Sequence, residues 1–345
     1  MDGPKAICGG VGGVVQEEAL FTVMNPAKRA AKAVLRPIVS NPIQAALVTW
    51  MARSGVGTDA CLKRGSLPLP VHFYSPVPDL DDLKRRDVWS RRSELPGVDF
   101  RPEAQVAYLL ELGERYGREC AWPPQPTKDP SEFYTENGAF SFGCAAAAHT
   151  VIRDRKPKRV IEIGSGMSST VLSAALGLNE AEGAQPAEYT IVDPFPSPRL
   201  PTLSGTRPKV IAERVEVVGV SLFEQLERGD ILFIDSGHVV RIGGDVNFLL
   251  LDVLPRLKPG VAVHIHDIGL PFEYPKAYLT NPAFRMLWTE AYILQAFLAF
   301  NSEFEVILGM AYLMQDQPEA FRRAFPLFDP AVHESTSGSF WIGRH

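Results

Sequence analysis

Apolar and polar positions change their period along this chain, and the change marks out its parts. From Lys158 onward, short apolar runs alternate with longer segments of helical spacing. That alternation predicts buried parallel strands joined by helical crossovers. The runs are Arg159–Ile163, Glu188–Val192, Val215–Val218, Ile231–Ile234 and Val261–Ile265, followed by Phe304–Leu308 and Ser339–Ile342. No crossover helix of ordinary length is evident between the last two, so they are expected to form an antiparallel pair, with Glu319–Phe325 as a helical insertion. The result is an α/β, Rossmann-like, seven-stranded and mostly parallel sheet with a terminal antiparallel hairpin. Phe284–Phe300, apolar at Leu287, Ile293, Leu294, Phe297 and Leu298, reads as a core helix.

Upstream the pattern is less regular. Residues 1–70 read as a mainly helical N-terminal extension, with candidate helices at Ala27–Val39 and Ile43–Ala52 separated by Asn41-Pro42. Residues 71–156 read as a helical and extended cap region with a Pro-punctuated segment, His72–Asp79, a charged run, Asp79–Arg92, and helices at Val106–Arg118 and Ala145–Arg153. Residues 157–345 form the ligand-binding α/β domain.

Bulk properties narrow the function. An apolar content of 46% is ample for a core, and a net charge of −5 gives no global case for nucleic acid. The cysteines Cys8, Cys61, Cys120 and Cys144 are widely spaced and without a C-x-x-C, so they read as free thiols of a cytoplasmic protein. No run reaches the roughly 18 apolar residues of a membrane span. Residues 19–58 carry Lys28, Arg29, Lys32, Arg36 and Arg53 and no acid before Asp59. This favours a helical arm packed on the main domain over an amphipathic segment touching an anionic membrane surface. The residues before Val71 also suit a dimerisation arm, hence a homo-oligomer.

The chemistry concentrates where strands end. Val160-Ile-Glu-Ile-Gly-Ser-Gly-Met-Ser-Ser169 is a buried strand, a glycine turn and a helix N-terminus, the place where open α/β sheets bind nucleotide-like ligands. Gly164 and Gly166 let the backbone bend and approach a ligand, and Ser165, Ser168, Ser169 and Thr170 supply hydroxyls. The second strand ends in Asp193, an acid suited to ribose hydroxyls. The fourth delivers Asp235 and, in the following loop, His238; the fifth delivers His266 and Asp267 to the same edge. These four should converge. Inward-facing His264 is expected to bond to backbone. Gly269–Tyr278 is expected to be a lid, with Phe272, Tyr274 and Tyr278 stacking on a substrate or packing the loop, and Glu273 available to a hydroxyl. Arg241, Asp245 and Asn247 either face a substrate or cap the next helix.

Glu162-x-Gly164-x-Gly166 resembles motif I of class I S-adenosyl-L-methionine (SAM)-dependent methyltransferases. Phe73-Tyr-Ser-Pro-Val-Pro, Phe233-Ile-Asp-Ser-Gly-His-Val, Leu257-Lys-Pro-Gly, His264-Ile-His-Asp-Ile and Gly338-Ser-Phe-Trp-Ile342 are similar to a bacterial, methyltransferase-24-like group of that class. The resemblance runs from about Val71 to the C-terminus. It implies SAM as cofactor, bound by Glu162, Gly164, Ser165, Gly166, Ser168, Asp193 and Asp235, with Glu162 facing the methionine part. It also implies a small-molecule methyl acceptor, most naturally a hydroxyl, with His238 or His266 as general base and Asp235 beside it. Cys144 stands where such proteins often carry an acid. Asp235-x-x-His238 with Asp267 is similar to macrocin-type sugar O-methyltransferases, which implies Mg²⁺ on Asp235 and Asp267. Two alternatives stand beside this reading: a catalytically degenerate regulatory protein of the same fold, and an NAD(P)-dependent oxidoreductase.

Overall fold

The computed structural model of the 345-residue chain describes residues 42–281, 285–334 and 336–345. Two compact units divide at Asp79 and Leu80. In the first, helix Pro42–Ser54 replaces the expected Ile43–Ala52 with nearly the same bounds, and none of its residues is buried. The expected helix Ala27–Val39 and part of the basic stretch 19–58 lie outside the described residues. Among the described residues, no helix is long and apolar enough to cross a membrane.

The second unit is built on one sheet of seven strands in the order β3-β2-β1-β4-β5-β7-β6. They are β1 (Arg159–Ile163), β2 (Glu188–Val192), β3 (Lys209–Ile211), β4 (Ile231–Ile234), β5 (Ala262–Ile265), β6 (Phe304–Gly309) and β7 (Phe340–Arg344). β1 to β5 run parallel, and β7 pairs antiparallel with both β5 and β6. The expected terminal pair therefore forms, with two helices, Met310–Gln315 and Pro318–Ala324, inserted between its strands.

Register explains the two cores. Val160, Ile231, Phe233, Ala262 and Trp341 face a layer containing helices Phe142–Arg155 and Met167–Ala181. Ile161, Ile163, Leu232, Ile234, Val263 and Ile265 face the opposite layer, with Leu249, Leu250 and Leu294. Side chains alternate across a strand, and parallel strands covered on both faces are apolar throughout. Each such buried side chain contributes about 1.5–3 kcal/mol of transfer free energy.

Two expectations need correction. Val215–Val218 is a short helix, and the third strand is the upstream Lys209–Ile211. The Val-Glu-Val-Val pattern satisfies strand propensity, but pairing is decided by the neighbour: Thr190, Ile191 and Val192 of β2 register with Lys209, Val210 and Ile211. The apolar helix expected over Phe284–Phe300 spans only Glu290–Leu298. Its start is fixed where the backbone N–H groups of Thr289 and Glu290 donate to the His238 carbonyl, at 2.9 and 3.2 Å.

Candidate active site

The sheet register places the site. Ile163 aligns with Val192 and Ile234, and Ile234 with Ile265, so the next residues, Gly164, Asp193, Asp235 and His266, stand in a row along the carboxyl edge. The ladder continues past the strand ends: Gly164 N–H donates to the Val192 carbonyl, Asp235 N–H to Ile163 and His266 N–H to Ile234, at 2.9–3.0 Å.

At the glycine turn, Gly164 has φ +85°, and a Cβ there would stand 2.2 Å from the Asp235 carbonyl oxygen. Only glycine meets both demands. Gly166 is different: a Cβ there would meet no protein atom within 4 Å. Space over the helix N-terminus is what an approaching ligand needs. Glu162 is fully buried beneath the turn. It accepts from Ser168 Oγ at 2.6 Å, from Ser169 Oγ at 3.0 Å and from the Tyr189 hydroxyl. Burial pushes its carboxyl up to about 7 despite these donors. Asp193 accepts from Ser165 Oγ at 2.5 Å and from Phe195 N–H at 2.8 Å, which joins the second strand end to the turn. Ser168 and Ser169 thus serve the buried acid, and Ser169 also accepts from Gly166 N–H.

The second group gathers where β4 and β5 end. His238 Nε2 lies 3.3 Å from Asp235 Oδ1 and 3.5 Å from Asp267 Oδ2. His266 Nδ1 lies 3.5 and 3.2 Å from the same two oxygens. The four residues expected to converge do so. His238 and Asp267 adopt φ +55° and +58°, unusual for side-chain-bearing residues and common at functional sites. Burial disfavours the His238 imidazolium, yet Asp235, Glu290 and Asp267 outweigh it and push the ring up to about 10. His266 is likewise raised against its burial by Asp267 and Asp235. Burial acts to raise Asp235, but the two imidazoles hold it well below the usual carboxylate range.

Two residues here escaped the sequence reading. Glu290 is fully buried, and its Oε2 lies 2.9 Å from His238 Nδ1. Trp288 lies 4.5 Å from the His238 ring, centroid to centroid, and packs edge-on against Tyr278. The signal was present: Thr289-Glu290 interrupts an apolar stretch with an acid on its buried side.

Other expected site residues have structural partners. Asp245 accepts from Gly237 N–H at 2.6 Å, and Asn247 donates to the Arg241 carbonyl, so both fasten the loop after His238. In the Gly269–Tyr278 segment, the Tyr274 hydroxyl accepts from Ala291 N–H and Glu273 accepts from the Tyr292 hydroxyl. Phe272 lies under the Arg92 guanidinium. His264 faces the Ile234 backbone, and its ring stacks on Phe233 at 3.8 Å. Burial drives it well below its ordinary value, so it is a neutral core residue. Cys144 is buried with its Sγ 3.2 Å from Ser141 Oγ and 3.1 Å from Ser337 Oγ.

The Mg²⁺ expectation can be tested against the donor set. Mg²⁺ takes oxygen ligands in near-ideal octahedra and retains water. His238 Nε2 and His266 Nδ1 stand 3.2–3.5 Å from the Asp235 and Asp267 oxygens, and this mixed nitrogen–oxygen set does not fit Mg²⁺.

Comparison with known proteins agrees with this geometry. Residues 161–268, from β1 through Ile268, match the family described as a methyltransferase domain. An uncharacterized protein of Archaeoglobus fulgidus is 31% identical over 170 residues, which is 47% of this chain and 75% of that one. Among solved structures, the O-methyltransferase TomG from Streptomyces achromogenes, involved in tomaymycin synthesis and solved with SAM, is 13% identical. It has a TM-score of 0.38 and covers 76% of this chain and 95% of that one. The S-adenosylhomocysteine (SAH)-bound Podospora anserina methyltransferase PaMTH1 is 18% identical, with a TM-score of 0.35, covering 79% and 99%. The glycine turn and the carboxyl ends of β1, β2, β4 and β5 lie within the matched residues, and the chain carries a methyltransferase domain of that family.

Proposed function

We propose that this enzyme transfers the SAM methyl group to a hydroxyl of a small molecule bound beside His238. The observation that carries the reading is contact between turn and cluster: Gly164 and Asp235 touch through their backbones. A cofactor seated on the turn would present its methyl group toward the imidazoles and carboxylates. In this reading Gly164, Ser165, Gly166 and Asp193 hold the cofactor. Glu162 and Ser168 shape the turn from beneath, and Asp235 stands between cofactor and acceptor.

The sulfonium methyl is already activated, so the protein must align the acceptor and receive one proton. The acceptor oxygen forms a bond to the methyl carbon, the carbon–sulfur bond breaks to give SAH, and the hydroxyl proton goes to His238 Nε2. Glu290 fixes the ring by accepting from Nδ1–H, which leaves Nε2 toward the pocket. His238 is protonated at rest near neutrality. The positive sulfonium beside Asp235 opposes that proton and favours the neutral, accepting form. Trp288, Tyr274 and Tyr278 form an aromatic wall next to His238, suited to an acceptor with a flat or apolar face.

Calorimetric titration with SAH tests the cofactor half. Micromolar binding lost in Asp193→Ala is expected; unchanged affinity in that variant would refute the placement. Screening hydroxylated acceptors by SAH release tests the other half, with His238→Ala as the variant expected to be inactive.

A further inference from the structure

The amino ends of β4 and β5, across the sheet from the row Gly164 to His266, hold a second concentration of charge. Leu257-Lys-Pro-Gly260, a motif that the methyl-transfer reading leaves unused, leads into β5 at this edge. Gly260 has φ +92°, and a Cβ on it would stand 2.6 Å from Arg228 Cγ, so the stem of Arg228 lies directly over its backbone. The Gly260 carbonyl accepts from Gly229 N–H at 3.0 Å and from Arg155 Nη1 at 3.4 Å. Its N–H donates to the Arg344 carbonyl at 2.7 Å, because β7 runs antiparallel to β5 and ends here. Three arginines from distant parts of the chain meet around one glycine.

They border a hollow of about 330 Å³. Gly229, Gly260 and Gly343 line it without side chains, which leaves the space open, and Arg155, Arg228 and Arg344 line it with charge. The acid on its wall, Glu305, is already engaged by Arg101. Arg344 reaches Glu303 at 3.1 Å, but that carboxylate is 63% exposed, and a solvated pair of this kind neutralises little. Among the described residues, neither Arg155 nor Arg228 is paired with a carboxylate.

Hydrogen bonding gives an independent observation. Arg155 Nε and Arg344 Nε are both shielded from solvent, and neither has a hydrogen-bond partner among the described residues. Both belong to side chains that line the hollow. A buried donor without an acceptor costs free energy unless something else accepts from it.

We propose that this hollow binds a phosphate-bearing anion on the guanidinium groups of Arg155, Arg228 and Arg344. The planar fork of arginine matches two oxygens of a phosphate, and it stays charged at any pH the folded protein meets. The volume admits a phosphate alone or one carried by a small organic group. The site lies at the opposite edge of the sheet from the glycine turn and does not depend on methyl transfer.

The test uses the full chain at low salt, titrated calorimetrically with sodium phosphate and, separately, with glucose 6-phosphate. One anion per chain with a Kd below about 1 mM is expected, weakening as NaCl is added. Arg155→Gln, Arg228→Gln and Arg344→Gln should each weaken it by about tenfold or more, and Arg155→Lys should recover part of that loss. An unchanged thermal midpoint checks that each variant folds. Tighter binding of glucose 6-phosphate than of phosphate would assign the hollow to a phosphorylated small molecule, and equal affinity would assign it to the free ion. No binding of either probe, or binding that survives all three glutamine variants, would overturn the proposal. A competition in the wild type needs no variant: saturating SAH should leave phosphate binding unchanged. Loss of phosphate binding there would place the anion on the glycine turn at the helix N-terminus and overturn the proposal as well. Phosphate binding in a chain that does not bind SAH would defeat the methyl-transfer reading alone.

Discussion

Glu162 and Asp235 stand on neighbouring strands, one inside β1 and the other just past β4, yet their surroundings drive them in opposite directions. Glu162 is sealed among three hydroxyl groups, and burial pushes it up to about 7. Asp235 is about one-third exposed, and the two imidazoles facing it hold it firmly ionised. The first environment raises the acid and ties it to the loop it secures. The second keeps charges together with few direct hydrogen bonds, which leaves them ready to meet something else. The lesson is that a buried acid's role follows from whether its donors are already spent.

The comparison breaks first at His238. His238→Ala should lower turnover by about a hundredfold to ten-thousandfold while leaving SAH affinity within a few-fold of wild type, checked by steady-state assay and calorimetry. A parallel loss of SAH affinity would mean that the cluster and the turn are one structural unit.

Next comes the backbone contact that joins the two regions. Gly164→Ala must place a methyl group against the Asp235 carbonyl at a positive φ, costing on the order of 3 kcal/mol. In a unit of this size that is a fall in Tm of roughly 6–10 °C. Gly166→Ala has open space, so it should leave Tm nearly unchanged and instead weaken SAH binding.

Stability against pH separates the two regions more finely. The raised carboxyl of Glu162 favours the folded state below its ordinary value of 4.5, and that contribution is lost as pH rises through about 7. It amounts to roughly 3 kcal/mol at most. His238 gives the same sign in a later window: present below 6.5, and lost as pH rises through about 10. Tm profiles of Glu162→Gln and His238→Ala, each subtracted from wild type, should therefore bend in different ranges.

The smallest effect belongs to Tyr189→Phe, which removes one donor from Glu162 and should cost about 1 kcal/mol by denaturant unfolding. It should also raise the Glu162 carboxyl further, moving the lower window upward.

Much of this was legible because strand ends carry their chemistry in sequence. Apolar runs located β1, β2, β4 and β5 within a residue or so, and one residue beyond each run gave Gly164, Asp193, Asp235 and His266. What escaped depended on pairing and packing. Lys209–Ile211 is too short and too exposed to look like a strand without β2 beside it. Glu290 escaped because its partner, His238, lies 52 positions away in sequence. His264 and His266 differ by two positions and face the same side of the sheet, but His264 lies inside β5 and His266 just past its end. One therefore meets Phe233 and the other meets Asp235 and Asp267, a difference that becomes physical only when the edge is assembled.

β7 lies between β5 and β6 although it follows both in the chain. As the polypeptide leaves the ribosome, β5 therefore emerges with one edge unpaired and keeps it until residues 340–344 arrive. That open row of amides and carbonyls is a template for pairing with another chain. Strand β7 is consequently the one that closes this edge, and shortening it should favour aggregation.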